Sequence, residues 1–133
     1  MSELGTQRHH SRERALEIFY ESTIKGRTVA SVIDDLPVPP DPYTVRLLTA
    51  AEANQERANG LISHFAIDWP LERIAIVDRL VMTLAIGELL MPNAPPKAVI
   101  LDEAVELAKV YSTDESPSFV NGVLSSCAEN LTK

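Results

Sequence analysis

The nine prolines of this chain stand at 37, 39, 40, 42, 70, 92, 95, 96 and 117. Proline lacks a backbone N–H and clashes with the preceding turn, so it is poorly tolerated inside helices and central strands. These clusters therefore mark connections, and the segments between them are of helix length. Within the segments the apolar spacing is helical. "TVASVIDDL" places Val29, Val32, Ile33 and Leu36 at i, i+3, i+4 and i+7 behind Thr28 as a cap. Residues 11–25 align Leu16, Phe19, Tyr20 and Thr23, and Gly26 stands where a helix-terminating glycine belongs. Asp41 and Pro42 form a cap and first-position pair for a long helix carrying Leu47, Leu48, Ala51, Ala58, Leu61, Ile62 and Phe65, with a bend expected near Asn59 and Gly60. After a short turn at "PLERI", residues 76–91 are the most apolar and predict the central helix. A further helix begins near 98–102 and runs to 110. The last covers about 117–130, with Ser116 as its N-cap. "AVIL" at 98–101 has the composition of a strand but nothing to pair with. The pattern predicts an all-α fold, a compact helical bundle of six or seven helices in a single domain over 1–133. Residues 1–10 read as a flexible basic arm.

Length and charge narrow the function classes. A chain of 133 residues, 45% hydrophobic, buries one core without disulfides or metal. Its apolar runs are too short to span a bilayer, and residues 1–14 lack the apolar segment of a signal peptide. A soluble cytoplasmic protein is the expectation, with which the single Cys127 agrees. The formal charge is −7, which disfavours indiscriminate binding to polyanions. Its distribution is uneven. Residues 1–28 hold five basic side chains (Arg8, Arg12, Arg14, Lys25, Arg27) against four acidic ones, whereas the rest holds seven against fifteen. The N-terminal arm and first helix are the only portion that is not acidic.

Catalytic patterns are absent: there is no phosphate-binding glycine loop, no H-E-x-x-H, no G-x-S-x-G and no paired cysteine motif. Neither an enzyme nor a cofactor or metal site is expected. Asp102 and Glu106, one turn apart with Lys109 beyond, read as a solvated face. His9 and His10 fall in the arm, and a lone His64 makes neither a triad nor a metal site. Cys127, four residues after Val123, reads as a small core hydrophobe, and Trp69 before Pro70 as an anchor closing a loop onto the core. Asn121 and Gly122 are harder to place, because each weakens a helix by up to ~1 kcal/mol relative to alanine.

That pair belongs to a longer pattern. "IAIVDRLVMTLAIGELL", followed by "APPKAVILDEAVELAKVYSTDESPSFVNGVL", closely resembles the signature of the NusB family of bacterial transcription antitermination factors, and "SRERALEIFYE" looks like that family's first helix. The resemblance runs from about Arg8 to Leu124. It implies a compact all-α domain of two small helical subdomains and a non-enzymatic role. It also implies binding to boxA RNA, notably in ribosomal RNA leaders, together with NusE, a small-subunit ribosomal protein, in the antitermination complex on RNA polymerase. The residues it assigns to RNA are Arg8, Arg12, Arg14, Tyr20, Glu115, Ser116, Ser118 and Phe119, and it places Asp78 on the partner surface.

Guanidinium groups pair with phosphates, an aromatic ring stacks on an unpaired base, and a helix N-terminus favours anions, so those residue types suit the task. Phe119, at the edge of the stripe formed by Val120, Val123 and Leu124, is the expected stacking residue. Gly122 is expected to let another helix approach closely. Thr83 and Gly87 stand where relatives often have a basic and an aromatic residue, which predicts an altered partner-facing surface. A homodimeric protein-interaction module is the alternative function. NusB-like domains also precede catalytic domains in RNA cytosine methyltransferases, for which a chain ending at Lys133 leaves no room.

Overall fold

The computed structural model describes residues 2–131. Its helices are α1 (Glu3–Lys25), α2 (Val29–Asp34), α3 (Pro42–Ala53), α4 (Gln55–Phe65), α5 (Ile76–Leu89), α6 (Lys97–Tyr111) and α7 (Ser116–Leu131). A single 3-10 turn, Leu71–Arg73, precedes α5, and no strand occurs among the described residues. "AVIL" lies in α6.

Local chemistry sets most of the boundaries. Gly26 ends α1 in the left-handed region at φ 63°, where its N–H reaches the carbonyls of Ser22 and Thr23. Thr28 caps α2 by accepting from the N–H of Ser31 at 3.1 Å. Asp41 caps α3 by accepting from the N–H of Thr44 at 3.1 Å, and it also accepts from the Ser11 hydroxyl at 2.7 Å, which fastens α3 to α1. Burial opposes the charge on Asp41, but the hydrogen bonds from Thr44 and Ser11 outweigh it and hold the carboxyl below its ordinary range.

Two boundaries differ from expectation. Residues 3–10, read as an arm, form the first turns of α1, whose N-cap is Ser2; Met1 lies outside the described residues. The long third helix breaks at Asn54 and not at Asn59 or Gly60. Asn54 has φ −111° and ψ 12°, and its amide donates to the carbonyl of Ala50 at 2.8 Å, a side-chain bond that competes with helix continuation.

α5 occupies the centre and packs against α1, α3, α4, α6 and α7. One continuous core results, with Phe19, Leu47, Leu48, Ile62, Leu80, Met82, Ile86, Ile100 and Leu124 almost wholly enclosed. Cys127 is also fully buried, and burial pushes its thiol up to about 11. Replacing it by serine places an additional polar group at this site. Cys127→Ser is expected to lower stability by about 1 to 3 kcal/mol, measured by urea unfolding. Equal stability would show that the site accommodates a hydroxyl.

Candidate nucleic-acid interface

The nine candidate side chains divide into three groups. Arg12, Asp78 and Ser116 are interior, with relative exposures of 5%, 5% and 1%. Arg12 makes a paired contact with Glu88 of α5, its Nε to Oε1 at 2.9 Å and its Nη2 to Oε2 at 2.6 Å, while Nη1 reaches Glu103 of α6 at 3.3 Å. Burial opposes its charge, but Glu88 and Glu103 more than compensate and raise its pKa. The Tyr43 hydroxyl donates to the same Glu88 carboxylate, and burial together with that bond pushes its pKa up to about 12. Arg12 is thus held within the scaffold.

Asp78 sits in the first turn of α5 beneath the α6–α7 connection. Its two oxygens accept from the hydroxyls of Ser112 at 2.6 Å and Ser116 at 2.8 Å. Ser116 is the first residue of α7, and its oxygen also accepts from the N–H of Thr113 at 3.2 Å. Neither residue presents its polar group to a partner. Both lie inside for one cause: a buried carboxylate needs donors, and the two serines supply them.

The second group lies at the surface, around two depressions. Glu115 and Ser118 are exposed and Phe119 is half-buried at the start of α7. Phe119, Glu115 and Thr113 line a shallow cleft whose floor is Asp78 and whose far wall is Trp69, Arg73, Ile74 and Ala75. Immediately beyond, Tyr20, with 41% exposure, lines a groove with Ile24, Val77 and Tyr111. Val77 and Asp78, consecutive in the first turn of α5, line the groove and the cleft respectively.

The third group stands apart. Arg8 lies over the ring of Tyr43, its guanidinium carbon 4.9 Å from the centroid, near the other end of α5. Arg14 is on the outer side of α1, with Glu17 at 3.9 Å. His9, expected in the arm, is held by Glu103 at 2.8 Å, and that hydrogen bond raises its pKa against the cost of burial. His64 is exposed. No cluster of three or more metal-ligating side chains occurs among the described residues, and no helix there is long and apolar enough to cross a membrane.

Trp69 and Arg73 also line the cleft. Trp69 is no anchor: it is 52% exposed, and its ring meets that of Phe119 edge to face, centroids 6.4 Å apart. The available signal was the spacing Trp69-x-x-x-Arg73 within one short turn, which carries an aromatic and a cation together.

The sequence profile of the NusB family matches residues 9–129. This chain belongs to the NusB family. It is similar to the transcription antitermination protein NusB of Streptomyces coelicolor, with 40% identity over 126 residues, covering 88% of this chain and 89% of the relative. The protein of the same name from Thermobifida fusca is 40% identical over 126 residues, covering 92% and 89%. Among solved structures, NusB of T. maritima superposes with a TM-score of 0.81 at 28% identity, over 92% of this chain and 90% of that one. A chain of the crystal structure of the antitermination factors NusB and NusE in complex with dsRNA gives 0.79 at 21% identity, over 94% and 98%. At that identity the likeness is one of fold. The matched residues 9–129 include all those that line the cleft.

Proposed function

We propose that this chain is a transcription antitermination factor of the cytoplasm, without catalysis of its own, that binds boxA-type RNA in nascent ribosomal transcripts together with NusE and joins the antitermination complex on RNA polymerase. The observation that carries the reading is its kinship with proteins named transcription antitermination protein NusB, which extends over nearly the whole of both chains. The surface supports it. Phe119 and Tyr20 offer aromatic rings to unpaired bases, Ser118 and Glu115 offer polar contacts beside the α7 N-terminus, and Arg8 and Arg14 offer charge to phosphates. Arg12, Ser116 and Asp78 serve as positioning residues that hold α1, α5 and α7 in place.

Few basic side chains on a body of net charge −7 make a short track for phosphates. A basic ribosomal protein docked on the acidic body relieves the repulsion and lengthens that track. Labelled boxA-like RNA, titrated by fluorescence anisotropy across a salt series, is expected to bind more tightly with NusE present. The salt slope should steepen by about 0.7 log units per added single-strand phosphate contact. Phe119→Ala is expected to cost about 1 to 3 kcal/mol of RNA affinity while the thermal melt stays cooperative. Absence of binding with and without NusE, alongside sedimentation as a dimer, would replace this reading by the homodimeric interaction module.

A further inference from the structure

We infer that the cleft between the 3-10 turn and α7 is a pocket for a single unpaired nucleobase, with Trp69 as its principal stacking face and Arg73 as the contact for the adjoining phosphate. The inference rests on the RNA-binding function proposed above and adds two residues to it.

Large aromatic side chains are normally drawn into the core, yet Trp69 leaves 52% of its surface in water although Phe119 stands beside it. The two rings meet at 77°, so each keeps a face uncovered by the other. Asp68 adopts φ 68°, in the left-handed region, and this reversal directs Trp69 outward from the end of α4. Arg73 also lines the cleft, is exposed, and forms no ion pair with a carboxylate among the described residues. An aromatic face with an uncommitted guanidinium beside it matches one nucleotide: the base stacks, and its phosphate meets the cation. The floor is rigid, because Asp78 fixes Ser112 and Ser116 beneath it.

Trp69 is the chain's single tryptophan, so its emission reports on this cleft alone. Unlabelled single-stranded boxA-like RNA titrated into the full-length protein is expected to quench that emission with the same midpoint as the anisotropy of labelled RNA. Trp69→Ala should weaken RNA binding by about 5- to 150-fold, the loss of one stack, and Trp69→Phe should restore most of it. Arg73→Ala should lower the salt slope by about 0.7 log units, one phosphate contact. Thermal melts of each variant separate these effects from unfolding. Anisotropy that rises while the emission stays constant, with Trp69→Ala binding as tightly as the parent, would overturn the base pocket and leave RNA binding intact. Quenching by NusE without RNA would overturn it in favour of a protein contact. Failure of RNA to bind in either readout would remove the function on which the pocket rests.

Discussion

Replacing Glu88 by alanine is expected to lower the stability of this domain by about 3 to 5 kcal/mol, because it leaves the Arg12 guanidinium buried without its main counter-charge. The pair is almost completely enclosed, with side-chain exposures of 6% for Arg12 and 3% for Glu88. Glu103, 3.3 Å from Nη1, cannot replace the two shorter bonds, and Tyr43 loses its acceptor at the same time. In a thermal melt the loss corresponds to a fall on the order of 10 to 20 °C. The comparison that decides the cause is the double variant Arg12→Met, Glu88→Leu, in which no charge is left stranded. It should recover most of the loss, since desolvation offsets much of the attraction within a buried pair. A double variant as unstable as Glu88→Ala alone would show that the ion pair itself, and not the orphaned charge, holds α1 to α5.

This pair also marks the limit of what the sequence made legible. Caps and breakers act within four residues, so Gly26, Thr28, Asp41 and the proline clusters could be read directly, and the helices lie close to where they predict. The fate of Arg12 depends on Glu88, 76 positions away. Local composition therefore presented it as one more cation of a basic segment. Asp78 and Ser116 followed the same course: each is polar and near a helix start, and only their meeting across 38 positions buries them. The resemblance names Arg8, Arg12, Arg14 and Tyr20 together, but a helix turns about 100° per residue, which leaves Arg8 and Arg12 on one side of α1 and turns Arg14 and Tyr20 away from it. The half-buried position of Phe119 was legible because its neighbours Val120, Val123 and Leu124 define the buried stripe that it borders. Trp69 was not, since a tryptophan beside a proline has the same local sequence whether it closes inward or stands out.

The glycines invert the expectations most completely, and their alanine variants are expected to move stability in opposite directions. Gly122 was assigned to close helix contact; it is exposed, and an added Cβ would meet nothing within 4 Å. Gly87 was assigned to a partner-facing surface. It is instead buried against α3, where a Cβ would stand 2.9 Å from the backbone nitrogen of Ala51 and 3.0 Å from the carbonyl carbon of Ala50. Thr83, one turn earlier, is buried too, its hydroxyl donating to the carbonyl of Arg79 at 2.8 Å. At position 122 alanine gains helix propensity without a steric cost, so Gly122→Ala should raise stability by about 0.5 to 1 kcal/mol. At position 87 the obstructing atoms are backbone, which no rotamer change can move aside. α3 and α5 must separate by a few tenths of an ångström along one of the main seams of the core, and Gly87→Ala should lose about 1 to 3 kcal/mol even after the same propensity gain. Urea unfolding of the two variants beside the parent measures the difference directly, with the midpoint moving up for one and down for the other. A neutral Gly87→Ala would mean that α3 yields freely, and a destabilised Gly122→Ala would mean that the exposed face of α7 is covered in solution.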